Sequence, residues 1–419
     1  MATENKKYIP TLRFPEFQND GEWKRCKLSD VAVRKGKKNT KGIELPIYTN
    51  SATSGVISQE DYFDREIVTK ENLVNYGIIE PNDFVYNPRV SVTAPVGPIS
   101  RNKLSRGIMS PLYLIFGFNG GDINFFEHYF KGNSWHNYLR AKANYGARFD
   151  RINIGTKEFM DMPIPYPSLA EQKKIADCLS SLDKYIDATK RKLELLKEYK
   201  KGLMQRLFPA KGKTTPEIRF PEFQNDGEWK IVLLKDFTER IKSKVGNAQL
   251  RPISISAGIG FVDQKNKFGR DISGNQYSNY IELKKGEFAY NKGNSIKYPQ
   301  GCVYQLKEFE IVACPNVFVC FRIINNSVCP DFMSAYFASN YHGKQLQQYI
   351  TSGVRSNGLL NISAETFLGI KTPLPSVSEQ KKIAECLSSL DKYIDETSCK
   401  LEQLKGHKNG LMQQLFPKL

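Results

Sequence analysis

The most regular pattern along the chain is a series of apolar residues spaced alternately four and three positions apart, and it occurs twice. Spacing of this kind, held over more than four heptads, predicts a long helix with a coiled-coil seam along one side. The predicted seam residues are Ile175, Leu179, Leu182, Ile186, Leu193 and Leu196 in the first copy, and Ile383, Leu387, Leu390, Ile394, Leu401 and Leu404 in the second. A threonine and a lysine fill the two gaps in each series: Thr189, Lys200, Thr397 and Lys408.

Both predicted helices have recognisable ends. A Pro-Ser pair precedes each series and a Phe-Pro pair follows it, so the helices are expected over 167–209 and 375–417, each about 60 Å long. Two matched seams in one chain can pack against each other, which favours an intramolecular pair of helices. A dimerisation coil between two chains is the alternative.

Identity between distant segments indicates that the whole chain is a tandem duplication. The sequence RFPEFQNDGEWK occupies 13–24 and returns unchanged at 219–230, and the block 171–209 returns at 379–417 with 30 of 39 positions identical. The stretches between these blocks share only a skeleton, whose members include Phe84, Tyr86, Asn87, Pro95, Gly97 and Pro111 and their counterparts Phe288, Tyr290, Asn291, Pro299, Gly301 and Pro315. We therefore predict two homologous domains, module 1 (11–166) and module 2 (218–374), each followed by a helix, with an exposed linker at 210–217.

The modules themselves read as α+β domains. Short β-prone runs punctuated by Gly, Pro and Asn include LPIYT, DFVYN and SPLYLIFGF in module 1, and RPISIS, EFAYN and NVFVCF in module 2. Segments of helical character, 125–140 and 331–350, lie among them. The fold class expected for the chain is therefore α+β, with a pair of long helices added.

Charge is distributed unevenly. The chain has 61 basic and 44 acidic residues, a net charge of +17, which is typical of proteins that bind a polyanion. The first helix carries +4 and the second carries no net charge, so most of the excess lies in the modules with their linkers and tails. This location favours binding of a phosphate backbone by the modules, although a solvated basic surface without a partner has the same composition.

Residues suited to contacting DNA can be named from side-chain chemistry. Asn bonds adenine and Arg bonds guanine through paired hydrogen bonds, while Tyr stacks on bases or contacts phosphate. The candidates, each in or beside a loop rich in Gly or Pro, are Tyr86, Asn87, Arg89, Arg148, Arg151, Tyr290, Asn291, Lys292, Arg355 and Asn357. A turn Asn or an Arg paired within its own module is the structural alternative for each. Five lysines are expected to be unspecific phosphate contacts or simply solvated: Lys35, Lys37, Lys38, Lys242 and Lys244.

Motifs for catalysis, metal binding and membrane insertion are missing from the sequence. There is no Walker A loop, no methyltransferase Asn-Pro-Pro-Tyr motif and no complete dinucleotide-binding glycine loop, and the histidines and cysteines lack zinc-site spacing. No apolar run reaches membrane-spanning length and the first residues lack the apolar core of a signal peptide. These features predict a cytoplasmic, non-catalytic binding protein with mostly free thiols and no metal.

The repeated motifs resemble those of a known family, the specificity subunits of type I restriction-modification systems, over essentially the whole chain. The residues that carry the resemblance are LRFPEF and GEWK at the start of each module, IPYPSLAEQKKIADCLSSLDKYID with its partner TPLPSVSEQKKIAECLSSLDKYID, and GLMQRLFP with GLMQQLFP. The resemblance implies that the modules are target-recognition domains, each reading one half of a bipartite site in double-stranded DNA. It also implies that the two helices pack antiparallel as a spacer and dock two methyltransferase subunits.

The same resemblance assigns the chemistry to other chains. It implies that methyltransferase subunits bind S-adenosylmethionine and methylate adenine, that restriction subunits use ATP and Mg²⁺, and that this chain carries no cofactor. The resemblance brings no short signature for base-reading residues, so the candidates above rest on side-chain chemistry alone.

Symmetry supports such an arrangement independently. Duplex DNA has a backbone dyad, so two homologous modules in one chain bind it most naturally when related by a pseudo-two-fold axis, which makes the attached helices antiparallel. Half-sites would then lie about 34 Å apart, one helical turn of DNA. A nuclease or methyltransferase fused to recognition modules, and a coiled-coil scaffold that binds proteins, are the competing interpretations.

Overall fold

The computed structural model describes residues 8–62, 70–143, 150–210, 212–293, 298–350 and 360–417. The chain divides into two compact units, the first of which is built from two separate segments of the sequence. Unit 1 consists of 1–190 and 399–419, and unit 2 consists of 191–398. Each unit therefore contains one module, part of the first long helix and part of the second. The domain bounds expected from the sequence remain a prediction, since the units divide the helices differently.

Module 1 is built from short strands and helices. Its strands are β1 (Lys24–Lys27), β2 (Ala32–Arg34), β3 (Ile47–Ser51), β4 (Gly55–Ser58), β5 (Gly77–Ile79), β6 (Phe84–Tyr86), β7 (Ile99–Arg101), β8 (Gly107–Met109), β9 (Leu114–Phe118) and β10 (Pro163–Tyr166). Its helices are α1 (Leu28–Val31), α2 (Gln59–Tyr62), α3 (Ile123–Lys131), α4 (His136–Lys142) and α5 (Thr156–Met160), followed by the long helix α6 (Leu169–Leu207).

Module 2 repeats this order with small changes. Its strands are β11 (Lys230–Leu233), β12 (Thr238–Arg240), β13 (Ile253–Ser256), β14 (Gly260–Asp263), β15 (Ile281–Lys284), β16 (Phe288–Asn291), β17 (Cys302–Gln305), β18 (Ile311–Cys314), β19 (Val319–Ile323) and β20 (Lys371–Leu374). Its helices are α7 (Gln264–Phe268), α8 (Pro330–Ala338), α9 (Tyr341–Leu346) and α10 (Ala364–Leu368), followed by the long helix α11 (Val377–Leu415).

The two modules share a sheet topology. A four-stranded sheet has the order β2-β9-β6-β7 in module 1 and β12-β19-β16-β17 in module 2, and a two-stranded sheet pairs β1 with β10 or β11 with β20. The second four-stranded sheet of module 1, β4-β3-β8-β5, corresponds to two separate two-stranded sheets in module 2, β13-β14 and β15-β18. A parallel bridge between Pro252 and Ala313 links these two sheets, where in module 1 β3 and β8 pair over two residues. The α+β class and the β-prone runs predicted from the sequence are confirmed.

The two helical segments predicted inside the modules are each two helices. In module 1 the break falls at Gly132–Trp135, between α3 and α4. In module 2 it falls at Ser339 and Asn340, where Asn340 adopts a left-handed backbone with φ of 57°. Polar and glycine residues at the breaks can leave helical geometry at low cost, which an apolar periodicity does not reveal.

Aromatic rings fill the core of each module in the same arrangement. The rings of Phe84 and Phe116 stack at 5.6 Å between centroids, and those of Phe288 and Phe321 stack at 5.3 Å. Tyr86 stacks on Phe159 at 4.8 Å, and Tyr290 stacks on Phe367 at 4.3 Å. The skeleton that the two modules share in sequence is therefore largely the lining of their cores.

The long helices α6 and α11 begin with the same cap. The Ser168 hydroxyl accepts a hydrogen bond from the Glu171 backbone N–H at 3.3 Å, and Ser376 does the same for Glu379. Each helix has 39 residues, which corresponds to about 58 Å. The serine hydroxyls satisfy backbone donors that the first turn leaves free. The predicted N-terminal caps and the predicted helix lengths are confirmed.

The two helices pack antiparallel within each unit. In unit 1, Lys408 near the end of α11 forms an ion pair with Asp183 in the first half of α6. In unit 2, Lys200 near the end of α6 forms the equivalent ion pair with Asp391 in the first half of α11. The lysines that interrupt the apolar series therefore form ion pairs between the two helices. All twelve predicted seam residues are buried or half-buried.

The two duplicated blocks meet in space. The Arg13 guanidinium binds both carboxylate oxygens of Glu171, at 2.7 and 2.8 Å, and Arg219 binds those of Glu379 at 2.7 Å each. Both carboxylates are 1% exposed, so each buried charge is neutralised by a paired, charge-assisted contact. Both blocks are therefore parts of one structural joint, in which a module start is fixed to the start of the helix that follows that module.

The end of each long helix packs against the module that it does not directly follow. Phe416, which follows α11, packs against Phe125 at 5.3 Å between ring centroids, in unit 1. Phe208, which follows α6, packs against Phe332 at 5.4 Å and Trp229 at 6.3 Å, in unit 2. Each module therefore packs against the beginning of one long helix and the end of the other.

Candidate nucleic-acid interface

The tyrosine and asparagine of each shared Tyr-Asn pair belong mainly to the scaffold. Tyr86 and Tyr290 are at most 2% exposed, and their hydroxyls donate to the backbone oxygens of Val96 and Gln300 at 3.0 and 2.8 Å. A ring that is stacked and buried on all sides cannot reach a base or a phosphate. We therefore remove both tyrosines from the set of candidate DNA contacts.

The asparagines hold the turn that follows each strand. The Asn87 side chain is buried, donates to the Asn50 backbone oxygen at 2.9 Å and accepts from the Arg89 backbone N–H at 3.0 Å. Asn291 is half-buried and accepts from the Gly293 backbone N–H at 2.8 Å. The alternative of a turn asparagine thus describes Asn87 better than base contact does, because its amide is already used inside the module.

A glycine in each module explains why the turn after the Tyr-Asn pair recurs. This turn together with its glycine is called here the glycine corner. Gly97 has a φ of 80°, and a Cβ placed there would lie 2.1 Å from the Asn87 backbone oxygen. Gly301 has a φ of 78°, and its Cβ would lie 2.4 Å from the Asn291 backbone oxygen. Only glycine fits such a close backbone approach in the left-handed region. The spacing Tyr-Asn to Gly is therefore a packing signature.

Two candidate arginines of module 1 are brought together. Arg89 and Arg151 form an antiparallel bridge, flanked by backbone hydrogen bonds from Val90 to Asp150 at 3.0 Å and from Ile152 to Pro88 at 2.9 Å. Arg89 is exposed, and the Arg151 side chain is 28% exposed with its Nε 3.6 Å from an Asp150 carboxylate oxygen. Module 2 has the equivalent backbone contact between Leu360 and Lys292, at 2.9 Å, and Lys292 is half-buried.

Between Arg89 and the glycine corner lies a loop that contains none of the candidates named from the sequence. The backbones of Ser91 and Ala94 exchange hydrogen bonds at 3.0 and 3.2 Å, and the Ser91 hydroxyl accepts from Ala94 N–H at 3.1 Å. The Val92 side chain at the tip of this tight turn is fully exposed. An apolar residue presented by a rigid turn beside two arginines is suited to contact a thymine methyl group or a base step.

The hairpin tips are a second exposed feature that differs between the modules. The turn between β3 and β4 exposes Ala52, Thr53 and Ser54, whereas the turn between β13 and β14 exposes Ala257, Gly258 and Ile259. Ile259 is 75% exposed. In the sequence, these tips could have been recognised because their residues differ between two copies of one scaffold.

A cleft of about 670 Å³ lies in unit 1, bounded by the β3–β4 tip, the loop before β7 and the end of α3. Its basic lining residues Arg101, Lys103 and Lys131 surround Glu127, with nitrogen to oxygen distances of 3.3, 2.7 and 2.9 Å. Burial acts to raise the pKa of Glu127, but the hydrogen bond from Lys103 and the charge of Lys131 lower this pKa to about 2. The cleft therefore holds a permanent carboxylate and an excess of positive charge.

Some candidates lie outside the described residues or make contacts within their module. Arg148, Arg355 and Asn357 are outside the described ranges. Of the lysines expected to be solvated, Lys35 pairs with Asp83 at 2.6 Å and Lys244 donates to Asn279 at 2.9 Å. Lys37, Lys38 and Lys242 are exposed.

The described ranges hold neither a cluster of metal ligands nor a membrane-spanning helix. They contain no group of three or more His, Cys, Asp or Glu side chains placed to hold a metal ion. Within the same ranges, every helix is too short or too polar to cross a bilayer.

Comparison with protein families gives a match over both halves of the chain. The sequence model of the type I restriction modification DNA specificity domain matches residues 20–198 and again 207–405. The chain belongs to this family. It is a DNA specificity subunit of a type I restriction-modification system, a non-catalytic component of a complex that acts on DNA, and the resemblance of its repeated motifs is confirmed.

Similar proteins extend the match to nearly the full length. The specificity subunit of the type I restriction enzyme MjaVIII from Methanocaldococcus jannaschii is 26% identical over 443 residues, covering 99% of this chain and 95% of that protein. The EcoKI specificity subunit from Escherichia coli K12 is 24% identical over 326 residues, covering 74% of this chain and 66% of that protein.

A solved structure shows the same fold. The crystal structure of the S subunit of a type I restriction-modification system from M. genitalium superposes with a TM-score of 0.56 at 16% identity, covering 98% of this chain and all of that one. Two recognition domains with a pair of long helices are therefore the architecture of the specificity subunit.

Proposed function

We propose that each module reads one half of an asymmetric bipartite DNA site, and that α6 and α11 set the distance between the halves. The observation that carries this proposal is one scaffold used twice with different exposed tips. Both modules share the order of one four-stranded sheet and the same glycine corner, yet at the same place in their hairpin turns one presents Ser54 and the other presents Ile259. Different side chains at equivalent positions would select different bases.

Charge and side-chain chemistry support DNA as the ligand of the modules. Most of the net charge of +17 lies outside the two helices, where arginine and lysine can release counterions from the phosphate backbone. In module 1, Arg89, Val92 and Arg151 lie on and beside one turn. We assign Arg89 and Arg151 to base or phosphate contact and Val92 to an apolar base contact.

The helix pair suits a rigid spacer and a paired docking site. One interhelical ion pair in each unit, Asp183 with Lys408 in unit 1 and Lys200 with Asp391 in unit 2, favours a fixed register of the two helices. Since the outward residues that the two helices share occur twice in equivalent surroundings, two copies of one partner can bind alike. We assign this role to two methyltransferase subunits, with restriction subunits joining through the complex. On this proposal S-adenosylmethionine, ATP and Mg²⁺ serve those partners.

Module exchange tests the assignment of half-sites. Residues 231–374 are replaced by the recognition module of another specificity subunit, and the methylated sequence is read genome-wide in cells that also carry the methyltransferase. One half of the target sequence is expected to change while the other half and the spacer stay the same. A reciprocal replacement of 25–166 is the matched control and should change the other half. A change in both halves after either exchange contradicts the proposal.

Two further measurements separate the competing functions. A specificity subunit that contacts many phosphates loses DNA affinity steeply as salt rises, whereas a scaffold for proteins would have no such dependence. Methyl transfer by the purified chain alone, without partner subunits, would favour a fused enzyme and overturn the proposal.

A further inference from the structure

The two modules differ in the residue that bonds to the backbone of their shared tryptophan. In module 1 the backbone oxygen of Tyr8 accepts a hydrogen bond from the Trp23 backbone N–H at 2.9 Å. In module 2 the backbone oxygen of Thr214 accepts the equivalent bond from Trp229 at 3.0 Å. Tyr8 and Thr214 therefore occupy the same place in the duplicated scaffold, and only the first copy has an aromatic ring there.

The ring of Tyr8 is packed inside module 1. Tyr8 is 3% exposed and belongs to the same core cluster as Trp23 and Tyr129. The guanidinium of Arg25, on β1, lies over the ring of Tyr8 at 4.3 Å from its centroid. The first copy of the scaffold thus provides a slot beside β1 that a tyrosine ring fills.

Module 2 has a cleft at the equivalent place. Its volume is about 290 Å³, and its lining includes Thr214, Ile231 and Pro373. Ile231 pairs with Pro373 between β11 and β20, in the register by which Arg25 pairs with a proline between β1 and β10. Thr214 and Ile231 are therefore the counterparts of Tyr8 and Arg25. The cleft lies where the tyrosine ring lies in module 1, because the short threonine side chain does not fill this space.

The lining of the cleft combines apolar surface with positive charge. Most of its surface is apolar, and among the described residues that form it none is acidic. Three lysines also line it, namely Lys213, Lys344 and Lys371. All three are exposed, and none of them pairs with a carboxylate of the described part of the chain. An apolar cleft with several unpaired cations suits an aromatic group that carries a negative charge.

We propose that this cleft of module 2 binds a small aromatic carboxylate, whose ring lies as the ring of Tyr8 does in module 1 and whose carboxylate pairs with the lysines. The backbone of Thr214 already follows the path of the Tyr8 backbone, so the cleft has room for a ring but not for a second chain segment on that path. This geometry favours a small molecule over a peptide. The inference does not rest on how the modules read DNA.

The test uses the full chain and 4-hydroxyphenylacetate, which is the tyrosine side chain joined to a carboxylate. Titration calorimetry is expected to show one saturable site per chain, because Tyr8 fills the slot of module 1. The neutral 4-hydroxyphenylacetamide has the same shape and is expected to bind at least tenfold more weakly, since it cannot pair with the lysines. The variant Lys344→Gln with Lys371→Gln is expected to remove this preference. Equal affinity of the unaltered chain for the acid and the amide overturns the proposal.

A second variant fills the cleft from within the chain. Thr214→Tyr supplies the ring that module 1 has, so it is expected to abolish binding of 4-hydroxyphenylacetate and to raise the Tm by burying an aromatic side chain. Thr215→Tyr is the matched control, because Thr215 is exposed and does not line the cleft, and it should change neither quantity. The double lysine variant remains a decisive test if Thr214→Tyr does not fold.

Three results contradict the proposal. The first is a lack of saturable binding of 4-hydroxyphenylacetate to the unaltered chain. The second is binding that persists in Thr214→Tyr, or that is lost equally in Thr215→Tyr. The third is a Thr214→Tyr variant that weakens assembly with the methyltransferase subunit while the carboxylate fails to bind, which would make the cleft a contact for a protein.

Discussion

The surroundings of His342 disfavour the charged form of its imidazole. Its imidazole is buried beside the rings of Phe337 and Tyr290, at 5.4 and 6.4 Å between centroids, and neither ring nitrogen has a hydrogen-bond partner among the described residues. Burial lowers the pKa of His342 to about 3. The unfolded chain has the ordinary value near 6.5, so it binds the proton more readily than the folded chain does.

This difference predicts acid sensitivity of module 2. Since the folded pKa is depressed, the stability is fully present above pH 6.5 and falls as the pH drops below it, by about 2 kcal/mol between pH 7 and pH 5. His342→Phe is expected to remove that share of the loss, because phenylalanine fills a similar volume and does not titrate. Urea unfolding at the two pH values measures it. An equal loss in the variant would show that His342 does not titrate as proposed.

Arg148 and Arg355, which lie outside the described residues and close to a glycine in sequence, are the subject of the second residue-scale prediction. Charge reversal at Arg148 or Arg355 is expected to weaken DNA binding by tenfold or more at moderate salt, because each change removes a cation and adds an anion next to phosphate. Lys211→Glu in the linker has the same change in charge and is the control. Gel-shift titration with the methylated target sequence compares the three, and equal effects would refute both assignments.

The DNA-contacting side chains named from the sequence remain a prediction, and the structure shows which of them are accessible. Tyr86 and Asn87 have side chains suited to base contact, but both are buried and hydrogen-bonded inside module 1, so they build the scaffold that the two modules share. Val92 was passed over because a lone apolar residue in a loop is indistinguishable in sequence from a core residue. Only its position on a closed turn, fixed by backbone hydrogen bonds, shows that its side chain is exposed.

At the scale of elements, the long helices were the most predictable part of the chain. Their seam, caps and ends followed from apolar spacing and capping residues, since a helix of this length is determined by local sequence. The pairing of Lys200 with Asp391 could not be predicted, because it depends on the register between two helices. The break between α3 and α4 was also missed, since aromatic residues continue on both sides of it.

A change in helix length tests the spacer role directly. Inserting one heptad into both α6 and α11 lengthens each by about 10 Å and nearly preserves the seam. The spacer between the half-sites is therefore expected to grow by about three base pairs, while both half-sites stay unchanged. Methylome sequencing reads the result. Inserting two residues in each helix is the control, because it rotates the seam by about 200° and is expected to abolish assembly. An unchanged spacer after the heptad insertion would show that the helices are not the ruler.

At the scale of the molecule, the duplication was visible in the sequence and the composition of the units was not. Repeats delimit segments along the chain, so they predicted a module followed by its own helix. The compact units instead combine each module with parts of both helices, because antiparallel packing brings the end of α11 to module 1 and the end of α6 to module 2. Such an exchange depends on tertiary packing, which a repeat in the sequence does not reveal.

This exchange has a consequence for synthesis on the ribosome. Leu415 and Phe416 are at most 3% exposed in the core that contains Trp23 and Phe125, so the core of module 1 is completed by residues that are translated well after the module itself. Module 1 must wait, incomplete, through the translation of roughly two hundred residues, a delay of 10 s or more at bacterial rates. Removing 399–417 is therefore expected to expose 8–166 to limited proteolysis while 218–374 remains resistant. Early cleavage of module 2 instead would show that the last segment does not complete module 1.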